Sequence, residues 1–527
     1  MRPSFAGFAS LLLAPLATAQ CPLYQNYAMY RHEPFSTGRY SLSYARPIVP
    51  CRTFHAPEVE ETIERLRDVI KDPDLFRLFE NTWPSTLDTT VAWRGKSNNA
   101  SDLGRLDGPQ MSRKAEELAF VITGDIEAMW LRDSANQLQA YISVLKANSS
   151  EASLASLFRG VINLQARYIL GNPFCNAFQA PDESGIPQRS SKNDDRITPP
   201  YDYYKVFSCQ WELDSVASFL QLSTDYVTAT RDYDFFQTSS NWTKAVELIL
   251  DTAESMMIDS YTEDGEWQHT PYTYCAPYGG TPINDCNGSP HRGNLGLVRS
   301  FHRPSDDACT YQYLIPSNMM FSSALNSSSE IMSRLESSSS SSSSRNLTTR
   351  MQEMSTGINR GIEKYGLVSD PQYGKIYAYE VDGYGGANIM DDPNVPSLLS
   401  APWIKYTTVN DPVYKNTRKK VLSRDNPYYA VGPDITGVAS PHTLPGKPWP
   451  MALIMAILTS EDDEEIKRNL KWLVQSTDGL GLMHESVNAR DAELWSRAWF
   501  SWANGLFGQM ILDLEKRRPH ILEMSFQ

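Results

Sequence analysis

The sequence predicts an all-α protein, a helical array closed on itself whose long loops carry the polar chemistry. Three observations predict it. Apolar residues recur at helical spacing in one segment after another, strand-like alternation is sparse and short, and Pro- and Gly-rich connections such as 276–296 and 431–450 separate the periodic segments. In chain order, helices are expected near 58–70 and 134–147. The next is carried by Leu154, Leu157, Phe158, Val161, Leu164 and Tyr168 at i, i+3, i+4, i+7 spacing. One over 212–226 follows, then one on Val246, Ile249, Leu250, Ala253 and Met257. Further helices fall near 311–334, 347–364 and 412–423. Ile466, Leu470, Leu473 and Val474 form another, preceded by Ser460 and Asp463 as a capping-box start, and a last one spans 493–515. Periodicity identifies the helices; it does not by itself show that they close into a ring.

The chain has 527 residues, 41% hydrophobic and 21% charged, enough to bury a large core. A net charge of -14 leaves no basic footprint for nucleic acid. Arg2, the apolar stretch Phe8–Ala17 and the small-residue site Ala17-Thr18-Ala19 read as a signal peptide over 1–19. Residues 20–527 are then expected to form a single secreted, extracellular domain with no membrane anchor, taken to be monomeric. N-x-S/T sequons at Asn99, Asn148, Asn241, Asn287, Asn326 and Asn346 agree with the secretory route. Among the cysteines, Cys21–Cys51 and Cys275–Cys286 are the preferred pairs because they close local loops. Cys175–Cys209 is a third candidate, and the odd count of 7 leaves a thiol over. The run Ser337–Ser344 lies in a serine-rich stretch, 326–349, that cannot bury apolar surface and reads as a surface loop.

Three clusters could carry chemistry. Thr123 to Ser134 supplies Asp125, Arg132 and Asp133 around Trp130: acids and a guanidinium to grip vicinal hydroxyls, and a ring for a sugar's apolar face. A helix cap and a structural ion pair would use the same residues. The second is His302-Arg303-Pro304-Ser305-Asp306-Asp307, whose adjacent carboxyls repel and so favour a proton donor, although Ser-Asp-Asp also caps helices well. The third is Met483-His484-Glu485-Ser486, whose lone loop Glu gains meaning only if it faces the second. Glu212 and Asp214 sit where a helix dipole favours acids anyway. The acidic run from Glu380 through Asp391-Asp392 invites a calcium reading, yet lacks the EF-hand spacing. The aromatics of 493–507, with Arg497 among them, read mainly as helix core. No G-x-S-x-G, H-E-x-x-H, Walker loop or dinucleotide fingerprint occurs, and neither a metal nor a cofactor is expected. Acid chemistry in an aromatic, helical chain suits glycoside hydrolysis.

These segments, with Glu212–Ser215, Tyr313–Asn318, Ile389–Leu399 and Trp499–Asn504, resemble glycoside hydrolase family 125 in order, from about 81 to 514. The resemblance implies an (α/α)6 barrel, a toroid with a pocket-type site, and exo-α-1,6-mannosidase activity on a mannose-containing glycan, inverting and metal-free. It implies Asp306 as general acid and Glu485 as general base. Asp125, Trp130, Arg132, Asp133, Asp307 and Asn318 would line the sugar pocket, with His442 and His484 as neighbours. Bacterial members lack the leader, the serine tract and most of 268–297, and usually have Pro where Glu127 stands. Two other readings stay open here: a glucoamylase-like inverting exo-glycosidase, and a catalytically silent mannan-binding or wall protein.

Overall fold

A computed structural model describes residues 21–97, 115–276, 286–338 and 346–527. The expected leader, the Asn99 sequon and most of the serine run lie outside the described residues. Twelve helices of nine residues or more occur among the described residues. They are α1 (Pro57–Arg67), α2 (Pro73–Thr82), α3 (Leu131–Gln139), α4 (Leu154–Gly171), α5 (Leu213–Thr230), α6 (Ser240–Ser255), α7 (Ile315–Ser338), α8 (Leu347–Tyr365), α9 (Pro412–Val421), α10 (Pro450–Leu458), α11 (Asp463–Gln475) and α12 (Ser501–Arg517).

Burial sorts most of them into two layers. All nine residues of α3 and Pro450–Ile457 of α10 are buried, as helices surrounded by protein must be. By contrast α11 buries Ile466, Asn469, Leu470, Leu473 and Val474, and α8 buries Leu347, Met351, Met354, Ser355, Ile358, Gly361 and Ile362. Each is a single stripe at helical spacing, the mark of a helix with one face to solvent. The contacts agree. An inner arc runs α10–α12–α3–α5–α7, each helix packed on the next, with α11 behind α10, α2 behind α12, α4 behind α3 and α5, and α8 behind α7. Between α7 and α10 the chain places the buried turns Leu398–Ile404 and the short α9, so the inner layer has five helices among the described residues where six were expected.

The expectation of an all-α chain needs correction. Short strands pair into seven sheets of two or three strands among the described residues. Several are two residues long and leave no alternation to detect in the sequence. Their position matters: Met129–Trp130 runs directly into α3 and Tyr313–Leu314 directly into α7, each paired with its neighbours. Such pairs fix the point at which an inner helix begins. Helices α2 and α10 were not foreseen. The sequence of α10, PMALIMAIL, is apolar throughout and carries no period, because no face of it meets water.

The two ends of the chain are tied together. Asp72 caps α2 by accepting from the N–H groups of Asp74 and Leu75 at 3.0 Å, and its other oxygen accepts from Phe526 N at 2.6 Å. Asn81 donates to the carbonyls of Ser43 (2.8 Å) and Gly481 (2.9 Å). Disulfides join Cys21–Cys51, Cys175–Cys209 and Cys275–Cys286, and Cys309 is a buried free thiol. Asn148, Asn326 and Asn346 are exposed, whereas Asn287 is only 2% exposed and its Oδ1 accepts from Thr270 N. No helix among the described residues is long and apolar enough to cross a membrane.

Gly508 on α12 meets the fully buried Trp83, whose indole N–H donates to Ala140 O at 2.9 Å. A Cβ at 508 would lie 2.3 Å from Trp83 Cδ1. Gly508→Ala is expected to destabilise the protein by about 1–3 kcal/mol through overpacking, outweighing the ~1 kcal/mol helix-propensity gain. A lowered guanidinium midpoint is the readout.

Candidate active site

The site is assembled at the N-terminal ends of the inner helices. Because α3 starts at Leu131, Arg132 and Asp133 fall in its first turn, and Glu212 is the N-cap residue of α5 with Asp214 in the first turn. The 303–307 segment is a tight loop: Arg303 N donates to Asp307 O (2.7 Å) and Asp306 N to Arg303 O (2.9 Å). This holds Asp306 at φ 67°, a left-handed conformation rare for a residue with a side chain. The loop is anchored from both flanks. Arg303 Nε donates to Glu380 Oε1 at 2.6 Å, and Asp392 Oδ2 accepts from Ser305 (3.1 Å) and Ser440 (2.9 Å).

At the centre lies the Arg132 guanidinium, 3% exposed. Nη1 contacts Glu212 Oε2 at 2.6 Å and Asp214 Oδ2 at 3.1 Å, Nε approaches Asp133 Oδ2 at 3.6 Å, and Nη2 approaches Asp306 Oδ1 at 3.8 Å. One cation cannot neutralise the three buried carboxyls of Asp133, Glu212 and Asp214, so protons make up the difference. Burial pushes the Glu212 carboxyl well above its ordinary range against the pull of Arg132, with the charge of Asp306 adding to the rise. Burial also raises Asp214 and brings Asp133 to about 6.

Glu485 occupies a different setting. It is buried, its Oε2 accepts from Ser496 Oγ at 2.7 Å, and its Oε1 accepts from Arg497 Nε at 3.1 Å. Arg497 also donates to the exposed Asp125. The loop is positioned by Asn504, whose Oδ1 accepts from Met483 N at 3.0 Å, and by the bond from Phe500 N to Met483 O at 2.9 Å. Two residues join the halves. His442 Nδ1 lies 3.6 Å from Asp307 Oδ1, and Asp306, Asp307 and Glu485 all act on its charge. Asp133 feels both Asp306 and Arg497.

Asp125, Arg132, Asp133, Asp306, Asp307, His442 and Glu485 are thus gathered in one place. Trp130 stands at the start of α3, largely buried, its ring 5.3 Å from that of Phe207. Two expected pocket residues do other work. Asn318 is fully buried and clamps backbone: its Oδ1 accepts from Val298 N, and its Nδ2 donates to Val298 O and Leu314 O. His484 is buried behind Glu485, stacked on Trp495 with ring centres 4.9 Å apart, and burial lowers its pKa. Ser496 was not singled out and Arg497 was read as part of a helix core because the stretch looks helical, whereas residues 491–495 form a strand and α12 begins only at Ser501. The acidic run offered as a calcium site holds backbone and loop instead, Asp391 accepting from the N–H groups of Leu398 (2.8 Å) and Leu399 (2.9 Å). Among the described residues no group of three or more His, Cys, Asp or Glu is arranged to hold a metal ion.

A layered helical fold that gathers acids from distant loops at one end of its inner helices defines the class, a glycoside hydrolase. The model of the metal-independent α-mannosidases, glycoside hydrolase family 125, matches residues 72–512, and the chain belongs to that family. It is 44% identical over 510 residues to the meiotically up-regulated gene 157 protein of Schizosaccharomyces pombe, covering 96% of this chain and 94% of the relative. Its fold is similar to that of a Streptococcus pneumoniae metal-independent α-mannosidase, described with N-linked glycan processing and bound non-productively to α-1,6-mannobiose. The TM-score is 0.74 at 32% identity, covering 88% of this chain and 99% of the other.

The Asp307 carboxylate 3.6 Å away, with Asp306 and Glu485 nearby, raises His442 to about 9 despite partial burial. A group raised in the folded state stabilises it fully below the unfolded pKa of about 6.5, and that contribution is lost as pH rises toward 9. His442 should therefore remain protonated at pH 7.5. Its ring-proton NMR titration is expected to shift down by at least about one unit in Asp307→Asn, as loss of a close opposite charge implies.

Proposed function

We propose that the protein is a secreted, exo-acting α-mannosidase that releases terminal α-1,6-linked mannose from a mannose-containing glycan by metal-independent, inverting hydrolysis. The observation that carries this reading is the convergence of Asp306 and Glu485, from loops remote in sequence, on His442 and on Asp133 with its neighbour Arg497. Membership of the α-mannosidase family supports the sugar, and the relative's complex with α-1,6-mannobiose supports the linkage. Three disulfides are compatible with an oxidising extracellular compartment.

Asp306, open to solvent on one side, protonates the glycosidic oxygen as the bond to the anomeric carbon breaks. Glu485 takes a proton from a water that attacks the opposite face, giving β-mannose. Ser496 and Arg497 donate to both Glu485 oxygens, which fixes the carboxylate for that task. Asp125, held by Arg497, is placed to accept from sugar hydroxyls.

Mannose release from α-1,6-mannobiose should persist in chelator and fall by about 10²–10⁴-fold in Asp306→Asn and in Glu485→Gln, the range for loss of a general acid or base. Proton NMR early in turnover should show the β-anomer first. An α-anomer would overturn inversion, and a folded wild-type protein that releases no mannose would overturn the activity.

A further inference from the structure

We propose that Glu212 is a positioning residue for Asp306: a neutral carboxyl that donates its hydrogen bond to Asp306 Oδ1 and so meets the charge left there when the acid gives up its proton. This deepens the general-acid role given above to Asp306 and rests on it.

The geometry begins with unmet atoms. Glu212 Oε1 and Asp306 Oδ1 are both buried and neither accepts a bond from any N–H or hydroxyl group, and the two carboxyls sit side by side on one guanidinium, Glu212 Oε2 2.6 Å from Arg132 Nη1 and Asp306 Oδ1 3.8 Å from Nη2. Two bare acceptors facing each other in a buried site repel, and a proton between them turns the repulsion into a bond. The other oxygen of Glu212 is already used, accepting from Arg132 Nη1 (2.6 Å) and Ser215 Oγ (3.0 Å). That leaves Oε1 to carry the proton. The Glu212 side chain is 0% exposed, whereas Asp306 keeps 36% exposure and so an oxygen free to face substrate.

The surrounding charges favour a neutral Glu212. Helix α3 presents Arg132 and Asp133, α5 presents Asp214, and the 303–307 loop presents Asp306 and Asp307. His442 and the Arg497–Glu485 pair lie across the site, and the Tyr272 hydroxyl, engaged with Cys209 O, is near Glu212. Arg132 is the cation that touches Glu212, and it is shared with Asp214 and Asp133. Burial holds the Glu212 proton on against the pull of Arg132, and the charge of Asp306, once that group has given up its own proton, adds to the hold.

In turnover the proton on the outward oxygen of Asp306 passes to the glycosidic oxygen and the C–O bond breaks. The new carboxylate charge on Asp306 then accepts from the Glu212 O–H, which keeps its own proton. The proton that Glu485 removed from water returns to Asp306 through solvent, restoring both groups. A donor aimed in advance at a charge that develops in a dry site is among the larger rate terms available to an enzyme.

The test compares Glu212→Leu, which removes the donor, with Glu212→Gln, which keeps a neutral donor of the same shape. On α-1,6-mannobiose, Glu212→Leu should lower kcat by roughly 10²–10³-fold, as loss of one such donor does, and raise the alkaline limb of kcat/KM by about one unit. Glu212→Gln should recover at least about tenfold of that rate and return the limb. Recovery fails if Glu212 acts as an anion, so equal damage in both variants overturns the assignment, as does an unmoved limb in Glu212→Leu. A dinitrophenyl α-mannoside, whose leaving group needs no acid, separates chemistry from folding: Glu212→Leu should retain most turnover on it, and loss of both substrates would assign Glu212 to the fold. Independently of activity, the infrared difference between wild type and Glu212→Gln at pH 8 should contain the C=O band of a protonated carboxyl, and its absence overturns the neutral state. An inactive wild type that still shows the band would overturn the proposed activity and leave the neutral carboxyl standing.

Discussion

Everything at the pocket end of this protein depends on where the Arg132 guanidinium sits. A guanidinium does not give up its proton in a protein, so once it is buried the surrounding acids must accommodate it. It draws the first turn of α3, the N-cap of α5 and the 303–307 loop toward one point. Those three elements come from separate parts of the sequence, and no apolar contact could specify their mutual position so narrowly. The cost is a surplus of carboxylates, which Asp133, Glu212 and Asp214 meet with raised affinity for protons.

The two sides of the site are built on opposite electrostatic plans. Around Arg132 the buried acids Asp133, Glu212 and Asp214 outnumber the cation, so that environment favours their protonated forms. Around Glu485 a single carboxylate accepts from Ser496 Oγ on one oxygen and Arg497 Nε on the other. The scaffold contributes through direction as well. Arg132 lies in the first turn of α3 and Glu212 is the N-cap of α5, where the dipole is positive and peptide N–H groups are unpaired, whereas Asp306, His442 and Glu485 stand on the loops that lead into α7, α10 and α12. The short strand pairs set those starting points.

Much of this was legible in the sequence, and the exceptions have physical causes. Amphipathic helices such as α8 and α11 declared themselves because solvent on one face imposes a period. Helix α10 did not, since burial on every side removes the contrast that a period needs. Two-residue strands have no period at all. Asp306 and Glu485 were visible only as acids in polar loops, and the resemblance to a family, not their spacing, singled them out. Asn318 and His484 show the converse: polar residues within informative motifs that the structure uses for backbone clamping and stacking. Arg497 was hidden among aromatics that suggested a helix core.

The tie between the chain's two ends bears on how the protein is made. Helix α2 packs on α12, and the Asp72 carboxylate that caps α2 also holds the backbone of Phe526. During synthesis the α2 segment emerges roughly 400 residues before its partner, and at about 5–20 residues per second that is on the order of 20–80 s. Throughout that interval the face of α2 that meets α12 lacks its partner, although α1 is already there to pack on α2. The inner arc cannot close vectorially, domain end first, as a string of independent modules would. The nascent chain must keep its first helices soluble, by its own collapse or with the help of a chaperone, until α12 leaves the ribosome and the arc can be completed.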